Sequence, residues 1–426
     1  MLPLSKRTEA LGTENAFVVL AEVNRLLAEG KSIKSFCIGQ PDFTPPDHAR
    51  IAAIDSIVQG KTGYTPSAGI MPLREAVAAE FTKTRGVQVK ADDVVIGCGA
   101  KPFIGNTIMS VCDYGEGHEV LYPNPGFPIY ESMIKAAGAV PVPLELHEKN
   151  DFAFDLNDLE RKITAKSRLL ILCSPHNPTG GVLSKKMMAQ IAKIVAKHDQ
   201  LWVYSDEPYS KLVYDGPLAT IEAEPGMLER TVIVDCCSKT YAMPGWRLGY
   251  AANRILAPHL TRWNTNIDSC PPAPSQYAAL AALTASQQCV EEMRKSFHER
   301  RDIIVKLLNS IPGISCRTPG GAFYVWPNVT QACEMVGAKD SEELRRRLLH
   351  EAGVAVLADI HFGKRIEGEG QHLRFSYATG KADIIAGLER VADFIKKHAK
   401  STPIRATKPA KPAKRNGKTT KEARAS

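Results

Sequence analysis

Two ionisable side chains each follow an apolar run that predicts a buried strand. Asp206 comes after the run Leu201–Ser205, and Lys239 comes shortly after the run Thr231–Asp235. A carboxylate at the end of a buried strand is costly unless a cation faces it. A lysine amine can attack an aldehyde and form an imine. These positions therefore predict a site that combines a nucleophilic amine with an acid that needs a positive partner.

Two more polar segments follow predicted strands. The run Leu169–Cys173 leads into a turn that holds Asn177, and the run Asp93–Gly97 leads into the small residues that open a helix, 99–101. The N–H groups and the positive dipole end at such a helix start favour a phosphate. Because ligands collect at the carboxyl ends of strands in open parallel sheets, we expect these groups to share one site.

Together these groups match the needs of pyridoxal 5'-phosphate, which requires an imine-forming lysine and an acid for its pyridinium nitrogen. The sequence also resembles the class I/II aminotransferases of fold type I, an aspartate aminotransferase-like family, from about residue 13 to residue 397. Three motifs carry this resemblance in family order: Asn177-Pro178-Thr179-Gly180, Ser205-Asp206-Glu207-x-Tyr209 and Ser238-Lys239-x-Tyr241-x-x-x-Gly245-x-Arg247-x-Gly249.

The resemblance implies how the cofactor ring is held. Lys239 resembles the lysine that forms the imine and acts as the catalytic base. Asp206 resembles the acid that keeps the ring nitrogen protonated. Tyr209 and Asn177 resemble the two donors to the phenolic oxygen of the ring, which lower the pKa of the imine. Phe127 resembles the aromatic residue that stacks on the ring.

The resemblance also implies how the two anionic groups are bound. The expected phosphate ligands are Ser238, Arg247, the backbone at Gly99, Ala100 and Lys101, and Tyr64, which is similar to a tyrosine that reaches the phosphate across a dimer interface. Arg374 resembles the arginine that holds the substrate α-carboxylate through its planar fork of donors. Gly39 and Asn177 are expected beside that carboxylate. Cys236 stands where the family usually has a phosphate-binding serine, and a thiol is a poorer donor, so we do not include it among the ligands.

Several of these residues also have an ordinary structural alternative, and Lys239 on its own could be a surface lysine. Asp206 could cap a helix after the strand, and Asn177 could simply shape its turn. Phe127 could be a core residue, and Tyr64 could serve in packing or in a turn. Lys101 could act through its backbone alone.

The elements that must position these residues alternate between strands and helices. Strand patterns are predicted at Asp93–Gly97, Glu119–Tyr122, Val140–Leu144, Leu169–Cys173, Leu201–Ser205, Thr231–Asp235 and Leu248–Ala252. Helical patterns separate most of them, which predicts an α/β fold with a mostly parallel seven-stranded sheet covered by helices. Several of these runs are continuously apolar, as buried parallel strands are.

The two ends of the chain have a different pattern. An amphipathic helix is predicted at Thr13–Gly30, with Phe17, Leu20, Val23, Leu26 and Leu27 at helical spacing, and a short strand at Ile33–Gln40. Later patterns predict one long helix at Ser275–Ser310, then a helix near Ser341–Ala352, a strand at Leu373–Tyr377 and a final helix at Lys381–His398. We therefore expect residues 1–46 to be an arm and part of a small discontinuous α+β domain, 47–285 a large cofactor-binding domain, 286–400 the rest of the small domain, and 401–426 a disordered tail.

The net charge of +8 over 426 residues is concentrated in that tail. Residues 401–426 contain five Lys and three Arg against one Glu, so about +1 remains for the other 400 residues. This distribution excludes a strongly basic globular protein. We expect at most a nonspecific, salt-sensitive contact of the tail with nucleic acid.

Composition also restricts the compartment. With 44% hydrophobic and 23% charged residues the chain is a typical globular protein. No apolar run is long enough to span a membrane, no secretory signal is evident, and the ten cysteines include no Cys-x-x-Cys pair. We expect a cytoplasmic protein with no membrane partner and no protein-bound metal.

The expected activity is therefore that of a homodimeric aminotransferase. It would move an amino group between an L-amino acid and a 2-oxo acid by a ping-pong mechanism, with aspartate or glutamate and 2-oxoglutarate as candidate substrates. Two alternatives remain: a C–S β-lyase that uses the same cofactor, because the cofactor performs the shared early chemistry, and a regulator that uses the fold for binding.

Overall fold

Apolar strands between residues 94 and 252 form one seven-stranded sheet in the computed structural model, which describes residues 2–399. The strands of the protein are β1 (Lys34–Ser35), β2 (Val94–Gly97), β3 (Glu119–Asn124), β4 (Val140–Glu145), β5 (Ser167–Cys173), β6 (Trp202–Asp206), β7 (Thr231–Cys236), β8 (Gly249–Ala252), β9 (Tyr324–Val325), β10 (Val354–Ala355), β11 (Leu357–Ala358) and β12 (Leu373–Ser376). The large sheet has the order β2-β8-β7-β6-β5-β3-β4.

Helices separate and cover these strands. They are α1 (Lys6–Glu9), α2 (Asn15–Ala28), α3 (Asp47–Val58), α4 (Met71–Arg85), α5 (Lys101–Val111), α6 (Ile129–Ala136), α7 (Leu156–Lys162), α8 (Lys185–Val195), α9 (Cys237–Thr240), α10 (Ala257–Ile267), α11 (Ala273–Thr284), α12 (Gln288–Ser310), α13 (Thr330–Val336), α14 (Ser341–Arg347) and α15 (Lys381–His398). None of the helices within residues 2–399 is long and apolar enough to cross a membrane.

The predicted α/β class and the mostly parallel seven-stranded sheet are confirmed. Only β8 runs antiparallel to its two neighbours, β2 and β7. The register aligns Cys173 of β5 with Asp206 of β6, and Cys236 of β7 with Gly249 of β8. The carboxyl ends of β5, β6 and β7 therefore lie side by side with the first residue of β8, and this common edge is where parallel sheets present their ligand sites.

The chain ends contribute two smaller sheets. β1 pairs in parallel with β10, and β12 lies between β11 and β9 in an antiparallel sheet. A hydrophobic core that includes Phe297, Phe323, Phe375 and Phe394 connects these strands to α12 and α15. The pairing of β1 with β10 joins the first fifty residues to the last hundred. The domain boundaries stay a prediction, and residues 401–426, the predicted disordered tail, lie outside the described residues.

Two sequence predictions were wrong in detail. The single helix at Ser275–Ser310 is two helices, because Ala285 is extended and the Gln287 side chain donates to the carbonyls of Ala282 and Ala285, ending the first helix. The strand predicted at Ile33–Gln40 is only the two-residue β1, which pairs along its full length with the equally short β10.

The amphipathic helix predicted at Thr13–Gly30 is present as α2, and the structure shows which of its apolar residues form the buried face. Phe17 and Leu27 are about half exposed, whereas Ala16, Val19, Val23 and Leu26 form its buried face. The buried positions recur every three or four residues, and Phe17 and Leu27 each lie one position beside that stripe.

Candidate active site

The lysine and the aspartate predicted to do chemistry lie at the ends of neighbouring strands. Asp206 is the last residue of β6, and Lys239 lies in the one-turn helix α9 that directly follows β7. The Lys239 Nζ donates a 2.5 Å hydrogen bond to the carbonyl oxygen of Gly39. Burial lowers the pKa of Lys239, and the nearby cations of Arg374 and Lys101 lower it further. A lowered pKa increases the fraction of neutral amine, which is the nucleophilic form.

Asp206 has one direct partner among the described residues, and the sequence did not suggest it. The hydroxyl of Tyr130 donates to its carboxylate, and both side chains are buried. Burial raises the pKa of Asp206 to about 7, against the lowering effect of the Tyr130 hydrogen bond. With such a pKa, the neutral and charged forms of the carboxyl are both populated near neutral pH. A cation bound beside it would favour the charged form.

A line of hydrogen bonds connects the other predicted residues. Arg374 on β12 donates through Nη1 to Asn177 at 2.9 Å and through Nη2 to the carbonyl of Cys37 at 2.6 Å. Its guanidinium carbon lies 4.4 Å from the ring centre of Tyr324. The Tyr324 hydroxyl is 2.8 Å from the hydroxyl of Tyr209. Arg374, Asn177 and Tyr209 are therefore held together, with Tyr324 as a link that the sequence did not indicate.

The predicted anion-binding corner is built from the start of α5 and the segment that leads into β8. Arg247 donates to the carbonyls of Cys98 and Pro244. Gly99 has a φ of +94°, and a Cβ there would lie 2.2 Å from Nη2 of Arg247. A Cβ on Gly249 would lie 2.3 Å from the backbone nitrogen of Ala100. The close approach of the backbone and the guanidinium thus depends on these two glycines.

These groups surround a cavity of about 530 Å³, a typical size for a site that binds a small molecule. Eleven of the predicted residues line it: Gly39, Ala100, Lys101, Phe127, Asn177, Asp206, Tyr209, Ser238, Lys239, Arg247 and Arg374. Cys236 lines it as well, and burial raises the pKa of its thiol, which keeps the sulfur protonated.

Two predicted residues are not in the cavity wall. Gly99 lies behind it, against Arg247. Tyr64 is 92% exposed and lies away from the cavity lining. The expected phosphate contact of Tyr64 therefore stays a prediction.

The cavity also contains residues that the sequence did not single out. Tyr130 and Tyr324 are buried aromatic residues, and Glu14 lies just before α2 with its carboxylate 2.6 Å from Nζ of Lys101. Tyr130 stands at the end of the segment that contains Phe127, and that proximity was the only sequence signal for it. No pattern connected Glu14 to Lys101, which are 87 residues apart.

Comparisons with known proteins identify the family to which the chain belongs. The family model for aminotransferase class I and II matches residues 31–392. The aspartate aminotransferase of Bacillus subtilis is 33% identical over 401 residues, covering 93% of this chain and all of the relative. An asparagine–oxo-acid transaminase of Streptococcus mutans is 34% identical, covering 93% of this chain and all of the relative.

A solved structure gives the same result in three dimensions. The aspartate aminotransferase of Thermus thermophilus with maleate superposes with a TM-score of 0.86 at 33% identity, over 92% of this chain and all of that chain. The predicted aminotransferase activity and its pyridoxal phosphate cofactor are thereby confirmed. The chain belongs to the class I and II aminotransferases, a family that uses pyridoxal 5'-phosphate.

Proposed function

We propose that Lys239 is the catalytic residue of this aminotransferase and that its substrates are dicarboxylic amino acids and 2-oxo acids. The observation that supports the proposal is that two cationic side chains line the same cavity. Arg374 and Lys101 both line the cavity that contains Lys239. A substrate with two carboxylates could engage one with each.

The cavity fits the cofactor by its own chemistry. Glycines 99 and 249 keep a corner open where a Cβ would touch Arg247 or the backbone of Ala100. That corner adjoins Ser238 and the start of α5, a donor set suited to a phosphate. Asp206 offers a buried carboxyl with a raised pKa, which suits a pyridinium nitrogen.

When bound, pyridoxal phosphate supplies a positively charged ring that withdraws electrons from the bond between the substrate Cα and its hydrogen. Lys239 would provide the amine that holds the cofactor, and its free amine would accept the Cα proton at Nζ and later return a proton. Asp206 would supply a negative charge that favours a protonated ring nitrogen. Tyr209 remains protonated, because burial and the adjacent Tyr324 raise its pKa well above the usual value.

Arg374 is prepared to bind an α-carboxylate. Its side chain is buried, and its Nε has no hydrogen-bond partner among residues 2–399. An unsatisfied buried donor is costly, so a carboxylate that accepts from it would recover that free energy. The contacts to Asn177 and Cys37 fix the plane of the guanidinium and leave this edge for the substrate.

Lys101 is the proposed partner of the second carboxylate. It is paired with Glu14, but the two side chains are 42% and 20% exposed. Pairs of this kind contribute about 0–1 kcal/mol, so an incoming carboxylate can replace Glu14 at small cost. The solved relative whose title names maleate, a dicarboxylate, is consistent with this assignment.

The same ion pair favours a second candidate, a carboxamide donor. Glu14 offers an acceptor and Lys101 a donor, and a side-chain amide carries the matching donor and acceptor. One of the relatives is named an asparagine–oxo-acid transaminase.

A panel of amino donors tests the proposal. Aspartate, glutamate, asparagine, alanine and phenylalanine would each be assayed with 2-oxoglutarate, and with pyruvate as the alternative acceptor. The proposal expects kcat/KM for aspartate or glutamate to exceed that for alanine by roughly tenfold or more, the value of one charged hydrogen bond. Preference for asparagine would support the second candidate, and preference for phenylalanine would contradict both. Release of pyruvate and ammonia from cystathionine would instead indicate the β-lyase.

We also propose that the working form is a homodimer in the cytoplasm. Helix α3 exposes Ile51, Ile54, Ile57 and Val58, each by more than half, close in the chain to Tyr64. Such an apolar face marks an interface, and a second copy would bring Tyr64 to the phosphate corner. All ten cysteines fall within residues 2–399 and are free, as expected in a reducing compartment. Sedimentation that showed an active monomer would contradict the dimer.

A further inference from the structure

A buried arginine lies behind the two strand ends that carry the catalytic groups. Arg85 is the last residue of α4, and its side chain is 1% exposed. Its Nε donates to Glu207 at 3.0 Å, and its Nη2 donates to Asp235 at 2.8 Å. None of these three residues lines the cavity.

The two carboxylates are themselves tied to the strands. Glu207 accepts a 2.7 Å hydrogen bond from the hydroxyl of Ser205. Asp235 accepts one from the hydroxyl of Ser210 and another from the backbone N–H of Cys236, both at 2.7 Å. The guanidinium of Arg85 therefore connects two carboxylates whose positions are already restricted by other hydrogen bonds. Because its Nε and Nη2 donors are fixed in one plane, they also set the distance between the two carboxylates.

The position of this bridge relates it to catalysis. Glu207 directly follows Asp206, the last residue of β6. Asp235 lies near the end of β7, four residues before Lys239. Neighbouring side chains of a strand point to opposite faces of the sheet. Asp206 accordingly contacts Tyr130 on one face, while Glu207 contacts Arg85 on the other.

We propose that Arg85 is a positioning residue, which holds the ends of β6 and β7 in the spacing that Asp206 and Lys239 require. The inference rests on the roles proposed above for those two residues. Arg85 does not touch the cavity and would act only through Glu207 and Asp235.

The charges of the network explain why an arginine is needed there. Glu222 is also buried, and both of its carboxyl oxygens lack a hydrogen-bond partner within the described part of the chain. Burial and the facing Glu207 raise the pKa of Glu222 well above its usual value. Arg85 is the cation that donates to both Glu207 and Asp235, so removing it alone would leave two buried carboxyl groups without the donor they share.

The test must therefore separate positioning from the loss of a buried charge. A triple variant, Arg85→Met with Glu207→Gln and Asp235→Asn, removes the bridge and all three charges together. Arg85→Lys keeps the charge, but a single ammonium lacks the rigid fork that reaches both carboxylates. The matched control is Arg301→Met with Asp215→Asn, which removes an ion pair between another buried arginine, on α12, and an aspartate.

Two measurements on these proteins report on the site rather than on stability. One is the dissociation constant of pyridoxal phosphate, from quenching of tryptophan fluorescence. The other is the midpoint pH of the visible absorbance of the bound cofactor. We expect the triple variant and Arg85→Lys to bind the cofactor roughly 10- to 100-fold more weakly, the loss that corresponds to one hydrogen bond of a charged group. Their midpoints should differ from that of the parent, and the control should change only the melting temperature.

Wild-type values of both quantities in Arg85→Lys and in the triple variant would overturn the proposal. If the triple variant does not fold, Arg85→Lys decides alone. Failure of the underlying function would be visible separately, because the wild-type protein would then show no cofactor attached to Lys239 after borohydride reduction.

Discussion

The guanidinium of Arg374 donates a 2.9 Å hydrogen bond to the carboxamide oxygen of Asn177, which lies 197 residues earlier in the chain. This contact connects the strand proposed to bind the substrate carboxylate with the loop proposed to contact the cofactor ring. Substrate and cofactor would therefore be oriented by a single hydrogen-bonded pair.

Replacing Arg374 by Lys should weaken substrate binding. Lysine keeps the charge but loses the planar fork, so it cannot contact Asn177, Cys37 and a carboxylate together. We expect kcat/KM for every amino donor to fall roughly 10- to 100-fold, mainly through KM, because a charged hydrogen bond is lost. Steady-state kinetics would measure this change. Arg25→Lys, an exposed position, is the control and should behave as the parent.

Asp206 gives a prediction for the pH dependence of stability without cofactor. Burial raises its pKa from 3.8 to about 7, so its neutral form is favoured in the folded state. Its stabilising contribution is complete below pH 4 and is lost as the pH rises through 7. The Asp206→Asn variant avoids this loss, so its melting temperature should increase relative to the parent between pH 5 and pH 8. A difference that stays constant over this range would show that the carboxyl does not titrate there.

Lys101 and Glu14 should have opposite effects on dicarboxylic substrates. Lys101→Met removes the proposed cation, and we expect KM for aspartate to rise roughly tenfold. Glu14→Gln removes a competing anion, and KM should fall by a few fold, in keeping with a pair worth about 0–1 kcal/mol. Kinetics with alanine provide the control, since alanine has no second carboxylate. Equal effects on alanine and aspartate would count against the assignment.

Gly249→Ala should damage the phosphate corner. Its Cβ would lie 2.3 Å from the backbone nitrogen of Ala100, which cannot move aside as a flexible side chain does. Overpacking of this kind lowers the free energy of unfolding by about 1–3 kcal/mol. Cofactor affinity should also fall, because the new methyl group would push the start of α5 away from Arg247. Urea unfolding and cofactor titration would measure both effects. Gly380→Ala, where the new methyl meets open space, is the matched control and should change neither quantity.

The position of polar residues directly after predicted strands was enough to predict where three of them lie in the fold. Asp206, Lys239 and Asn177 could be expected at one edge because each comes just after an apolar run, and the register of the sheet aligns those ends. Arg374 could be placed only through a resemblance, since nothing in its own strand indicates what it faces.

The site residues that were not predicted are those whose role depends on contacts with residues far away in the sequence. Tyr130 meets Asp206 across 76 residues, and Tyr324 meets Tyr209 across 115. From the sequence alone, a tyrosine in an apolar segment is indistinguishable from an ordinary core residue. Only the structure shows which group its hydroxyl contacts. The break between α11 and α12 was missed for a similar reason, because no glycine or proline marks it and the side chain of Gln287 ends the helix.

The proposed covalent attachment of the cofactor to Lys239 can be tested directly. Borohydride reduction of the protein with bound pyridoxal phosphate, followed by digestion and mass spectrometry, identifies the modified lysine directly. We expect the reduced cofactor on Lys239, and we expect the Lys239→Ala variant to show neither this adduct nor turnover. An adduct on another lysine, or full transaminase activity in Lys239→Ala, would contradict it.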